Sequence, residues 1–194
     1  MTGPGGGCTL PGMSSPVLTT PRLWLLPLSR AVVETRLRAG TFEAPFELDG
    51  QSLLVTFPPD WPGDLLPVFP MFLADLQVGR VDELPDSRIV VERATRLAVG
   101  TMGTKGEPDG SGMVEIGYGL IPEARGQGYA TEAGQVLLTH LRTRPDVRRV
   151  TAHTARGNRA SERVLEKLGF TRTGESWSVE DGPLTVWTYG GGTL

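Results

Sequence analysis

The sequence predicts an α/β (α+β) fold, a mixed and mostly antiparallel central sheet flanked by helices. Three observations carry that expectation. Strand-like runs at 88–94 and 97–101, joined by a tight turn, are followed by strand, helix, strand, helix, an order that mixes antiparallel and parallel neighbours in one sheet. A glycine-rich turn, Arg125 to Ala130, stands between a strand and the longest helix. The length, 194 residues, suffices for one proper core and is short for two.

The elements follow in order. Residues 1–16 are rich in Gly, Pro and Ser and lack periodicity, so they read as a flexible tail before a single domain over 17–194. Arg22 to Leu28 is strand-like. Ser29 is placed to cap a helix through Ala31, Val32, Val33 and Leu37 that stops at Gly40. From Thr41 to Pro70, with Trp61-Pro62-Gly63 at the centre, prolines break the pattern, leaving a short strand at Leu53 to Phe57, loops and short helical turns. Pro67 and Pro70 speak against a straight helix before about Met71. Met113 to Leu120 alternates: Val114, Ile116, Tyr118 and Leu120 share one face, Glu115, Gly117 and Gly119 the other. A helix runs from Gly128 to about Arg142 with Ala133, Val136, Leu137 and Leu141 on one side. Val147 to Thr154 is a strand, Asn158 to Leu168 a helix ended by Gly169. Strands at 170–179 and 184–189 flank the Glu180-Asp181-Gly182-Pro183 turn.

Composition narrows the function. Net charge is −3, which disfavours broad attraction to nucleic acid or anionic lipid. No apolar run is long enough to span a bilayer and no signal pattern opens the chain. One cysteine, Cys8, excludes an internal disulfide and fits a reducing compartment, so a cytoplasmic protein is expected. No His/Cys/Asp cluster has metal-ligand spacing, so no metal is expected.

The chemistry-bearing motif is Arg125-Gly126-Gln127-Gly128-Tyr129-Ala130. The first amides of a helix lack intrahelical partners and carry partial positive charge. Gly126 and Gly128 let phosphate oxygens approach those amides, and Arg125 adds a cation. By itself a glycine turn before a helix is common. No P-loop lysine-serine ending follows, and no acidic residue sits where a dinucleotide ribose would need one.

The longer run Glu115 to Ala133 resembles the acyl-CoA-binding segment of GNAT acetyltransferases, whose Arg/Gln-x-x-Gly-x-Gly/Ala signature falls on Arg125, Gly128 and Ala130. Asn158 to Phe170 is similar to that superfamily's second block, in the form typical of the RimJ/RimL type that modifies protein N-termini, and Thr20 to Leu25 resembles that type's first strand. The resemblance implies a sheet splayed into a V, with acetyl-CoA as co-substrate and direct attack by an amine in a ternary complex. It implies main-chain contacts to pantetheine near Leu120 and Ile121. Diphosphate contacts fall on Arg125, Gly126, Gln127, Gly128, Tyr129, Ala130 and Thr131, with Asn158 near the cofactor. Glu115 becomes the candidate base, acting through water, and Ser161 the candidate acid, because the tyrosine of many members is replaced by Leu165. Plainer readings stand beside these: Glu115 as a strand glutamate paired with a lysine or arginine, and Asn158 as a helix cap. His153 reads as packed or surface, His140 as solvated and Tyr118 as core with a polar tip. The partner is an amine, either a protein N-terminus or a small molecule, with a homodimer left open. A non-catalytic acyl-CoA-binding module is the rival reading.

Overall fold

The computed structural model describes residues 15–79 and 82–190. Of the expected tail, residues 1–14 lie outside them, while the Ser15 amide already donates to Glu83 Oε2 at 2.8 Å. The strands are β1 (Leu18–Thr19), β2 (Leu23–Ser29), β3 (Phe42–Leu48), β4 (Gln51–Phe57), β5 (Glu83–Glu92), β6 (Leu97–Thr104), β7 (Met113–Leu120), β8 (Arg149–Ala155), β9 (Phe170–Ser178) and β10 (Gly182–Tyr189). The helices are α1 (Arg30–Arg38), α2 (Phe69–Gly79), α3 (Tyr129–Leu141) and α4 (Arg159–Leu168).

The caps behave as side-chain chemistry requires. Ser29 Oγ accepts from the Val32 amide and Asn158 Oδ1 from the Ser161 amide, and Gly169 ends α4 at φ +88°. The proline-broken region holds more order than its sequence suggests. β3 was not expected, because Pro45 lies at its centre. It pairs only with β4, so the missing donor sits on an edge strand, where proline is tolerated. A 3₁₀ segment over Gly63–Val68 absorbs Pro67, and α2 carries Pro70 in its first turn. Phe57, Trp61 and Phe69 are fully buried, with Trp61 edge-on to both others, so these aromatics fill core.

In the sheet the order is β1-β2-β5-β6-β7-β8-β10-β9, with the β3–β4 hairpin attached to β6. Pairing is antiparallel along that path except at β7–β8. Against it α3 buries Ala133, Leu137, Leu138 and Leu141, each leucine contributing about 1.5–3 kcal/mol over exposure. A side chain at Gly134 would collide with Leu168 at 2.6 Å, so this glycine sets the close approach of α3 and α4.

One local irregularity shapes the function. β7 and β8 pair only from Met113↔Arg149 to Ile116↔Ala152. Beyond that, β7 continues beside β6 to Leu120, and β8 beside β10 to Ala155. Two strands that are neighbours at one end and not at the other enclose a wedge. That is the V.

Candidate active site

The wedge has polar walls. The Glu115 carbonyl accepts from the Lys105 amide at 2.7 Å and the Ile121 amide donates to Val99 at 3.0 Å, so the odd-numbered residues of β7 direct their main-chain groups to β6. By alternation those of Tyr118 and Leu120 face the wedge. The Leu120 carbonyl there accepts from Arg125 Nε at 3.0 Å. Leu120 thus lies where a chain of amides would bind. Ile121 does not offer its N–H, which is bound to Val99, and its carbonyl accepts from Ala124.

At the open end of the wedge, α3 begins. Gly126 and Gly128 adopt φ +75° and +81°, and a Cβ built at Gly126 meets nothing within 4 Å. The main-chain N–H groups from Gly126 to Thr131 find no acceptor among the described residues. The turn is therefore an open cradle of donors at a helix N-terminus, with the geometry that holds a diphosphate. Tyr129 and Ala130 contribute amides and not side chains. Both are buried, and the Tyr129 hydroxyl donates to Glu92, a hydrogen bond that raises the phenol's pKa. Gln127 Nε2 turns back to the Glu123 carbonyl at 2.9 Å.

Two cations lie near the cradle. Arg125 reaches Asp64 Oδ2 at 3.1 Å, tying the turn to the 3₁₀ segment. Arg22, which the sequence did not single out, joins it: Nη1 donates to the Gln127 carbonyl at 3.0 Å, and the guanidinium lies 4.6 Å over the Tyr129 ring. Glu132 holds it, with Nε at 2.7 Å and Nη2 at 2.6 Å from Oε2, while Thr20 donates to Oε1 at 2.6 Å. Burial pushes the Glu132 carboxyl pKa up, but the Thr20 hydroxyl and the amide and guanidinium of Arg22 outweigh it and leave it lowered. Only folding could reveal this clamp, because Arg22 and Glu132 are far apart in sequence.

The catalytic candidates lie at the other end of the wedge. Glu115 is a quarter exposed and touches two groups: Lys105 Nζ at 2.5 Å from Oε1 and His153 Nδ1 at 2.9 Å from Oε2. The expected pairing with a lysine is present, and a histidine joins it. On α4, Asn158 caps the helix and Ser161 sits in the first turn, half-buried. Tyr118 donates its hydroxyl to the Ser161 carbonyl at 3.1 Å, pinning β7 to α4. Burial drives the pKa of that phenol up to about 12. Leu165 is fully buried, so it leaves no polar group in the tyrosine's place.

A wedge between parallel strands, with a donor-lined turn and helix at its mouth, can take an extended ligand that ends in a phosphate. Residues 75–171 match the family model described as acetyltransferase (GNAT) domain. This chain belongs to the GNAT acetyltransferase family. It is therefore an acetyl-CoA-dependent N-acetyltransferase, and acetyl-CoA is the co-substrate the family uses. An N-acetyltransferase of Bacillus subtilis described as uncharacterized, YjdG, is 37% identical over 112 residues, spanning 57% of this chain and 67% of that one. Among solved structures, a GNAT-family acetyltransferase from Bacillus anthracis superposes with a TM-score of 0.61 at 16% identity, over 89% of this chain and 96% of its own. A RimL ribosomal L7/L12 α-N-protein acetyltransferase in complex with coenzyme A gives 0.59 at 17% identity, over 89% and 97%.

Other features of this GNAT domain stand apart from the wedge. His140 is not solvated as expected: Nε2 lies 2.7 Å from Asp86 Oδ1, because β5 turns that buried carboxylate under the end of α3. Asp86 also takes Arg144 at 2.5 Å and Arg88 at 3.2 Å. A cleft of about 680 Å³ between α1, β2 and β3 shares no residue with the cradle or Glu115. Among the described residues no His/Cys/Asp/Glu group is arranged for a metal, and no helix is long and apolar enough to cross a membrane.

Proposed function

We propose that this enzyme acetylates a free α-amino group, such as a protein or peptide N-terminus, by direct attack in a ternary complex. The observation that carries the reading is the open donor cradle at Gly126–Thr131 together with the Glu115 carboxylate at the root of the same wedge. The cradle suits the diphosphate of acetyl-CoA: its two glycines leave room, its amides lack other acceptors, and Arg22 adds charge. The cofactor supplies an activated acetyl carbonyl and a thiolate leaving group. Leu120 lines the path between cradle and reacting end, and Asn158 and Ser161 head the helix beside it.

The acceptor follows from ionisation arithmetic. At pH 7 an α-amine of pKa about 8 is roughly a tenth neutral, whereas a lysine near 10.4 is neutral about once in 2,500. Extracting a lysine's proton asks about 4–5 kcal/mol from the site. The Glu115 carboxylate is already shared between a lysine and a histidine, so the site suits the less demanding α-amine. The amine's surplus proton leaves by way of Glu115 and the groups it holds, and Ser161 is assigned the proton for the departing thiolate. The structural likeness to RimL, an α-N-protein acetyltransferase, favours the same acceptor class.

An acceptor screen tests this. Peptides with free and blocked N-termini, lysine derivatives, polyamines and aminoglycosides are incubated with acetyl-CoA and read by mass spectrometry for one added acetyl group. Modification of free N-termini over all other amines is expected. Acetylation confined to small amines would replace the acceptor, and coenzyme A binding with no transfer to any amine would make the chain a binding module.

A further inference from the structure

We propose that His153, through Nε2, takes the proton from the attacking amine, and that Glu115 is the positioning residue that fixes its ring. This rests on the acetyl-transfer reading above and assigns its proton acceptor.

Glu115 Oε1 lies 2.5 Å from Lys105 Nζ and Oε2 lies 2.9 Å from His153 Nδ1. A bare nitrogen lone pair that close would repel an ionised oxygen, so the neutral ring carries its hydrogen on Nδ1. That leaves the Nε2 lone pair free, and no described residue bonds it. The same logic operates wherever a carboxylate orients a histidine base. Imidazoles are also better matched than carboxylates to removing a proton near neutral pH.

Position supports the assignment. His153 is the first residue of β8 past the last β7 pair, Ile116↔Ala152, so it stands at the fork of the wedge. Its counterpart on β7 is Gly117, which has no side chain. A Cβ there would meet only Lys105, at 3.2 Å from Cε. The space beside the ring is therefore not filled from β7. Next on that face is Gly119, over which Leu65 and the Pro62 carbonyl form a roof close enough that a Cβ would lie 3.3 Å from each. The ring is about a quarter exposed, so it reaches solvent while held from behind. The charged groups on its face are Glu115 on β7 and, behind it, Lys105; its partner on β10 is the uncharged Val186.

The step balances. As the amine nitrogen forms the C–N bond to the acetyl carbonyl, its surplus proton passes to Nε2, giving an imidazolium beside the Glu115 carboxylate. When the C–S bond breaks, its electron pair goes to sulfur, which takes a proton by way of Ser161. The imidazolium returns its own proton to solvent, so one proton has left nitrogen and one has reached sulfur.

Two measurements test the proposal. The chain has two histidines, so nitrogen-15 NMR of labelled protein can be read by its loss of one ring in His153→Gln. His153 is expected as the Nδ1–H tautomer in the wild type and shifted toward Nε2–H in Glu115→Gln. An Nε2–H ring in the wild type would overturn the assignment. In kinetics with a peptide bearing a free N-terminal serine, His153→Gln should lower kcat about 100-fold with the acetyl-CoA KM within about twofold. Glu115→Asp should retain more activity than Glu115→Gln. A His153→Gln enzyme within about threefold of wild-type kcat, with Glu115→Gln inactive, returns the base to Glu115. Wild-type protein that releases no thiol with this peptide sinks the acceptor reading instead, and the tautomer still judges the ring.

Discussion

Replacing Gly128 with glutamate tests the cradle most directly. Gly128 holds φ +81°, where a side chain costs about 1–2 kcal/mol. Against a typical stability of about 5–15 kcal/mol the fold should survive, with Tm lower by about 2–8 °C. The new Cβ meets only Arg22 Nη2, at 3.6 Å, so the stem is tolerated and the carboxylate is what obstructs. It places a negative charge among amides that otherwise face open space. If two charge-assisted hydrogen bonds to the diphosphate are lost, at about 1.5–3 kcal/mol each, the deficit is about 3–6 kcal/mol. Coenzyme A affinity should then fall about 10²- to 10⁴-fold. Gly128→Ala carries the same backbone strain without the charge and should weaken binding less than about tenfold. Calorimetric titration with coenzyme A measures all three proteins, and circular dichroism confirms their fold. A folded Gly128→Glu protein that binds coenzyme A within about threefold of wild type would refute the cradle as the diphosphate site.

Further outcomes follow from other parts of the structure. Ser161→Ala should lower kcat about tenfold or more while leaving coenzyme A affinity nearly unchanged; unaltered turnover in a stopped-flow thiol assay makes Ser161 only a first-turn residue. Asp86→Asn keeps a residue that tolerates the native φ of +51°, yet it removes the larger of the two charges, Asp86 and Glu83, that offset burial of the Arg88 guanidinium, whose Nε and Nη1 find no hydrogen-bond partner among the described residues. The loss should be about 3–5 kcal/mol, or about 6–20 °C in Tm by calorimetry, and a drop below 2–3 °C would mean the cluster contributes little. Glu132 has a folded pKa below its unfolded value, so its stabilisation is complete above the unfolded pKa and is lost as pH falls through the folded one. Glu132→Gln should therefore melt below wild type at neutral pH and approach it near about pH 3; a gap that widens in acid contradicts the Arg22–Glu132 clamp.

Much of this was legible in local pattern. The span of β7 and the starts of α1, α3 and α4 follow from alternation, Ser29, Gly128 and Asn158, all of which act within a few residues. β3 was hidden by Pro45, although Phe42, Ala44, Phe46 and Leu48 do alternate along it. His140 was misread because its partner, Asp86, comes from a strand 54 residues away.

The sequence by itself determined the helix-opening glycine turn and the family resemblance. Those depend on backbone conformation and on spacing along the chain. Only the tertiary structure decided which charges meet: Arg22 with Glu132 at the cradle, Arg125 with Asp64, and His153 with Lys105 around Glu115. Such pairs arise from strand register and from the parting of β7 and β8 after Ile116 and Ala152. Register is fixed by packing summed over the whole sheet, and no short stretch of sequence contains that sum.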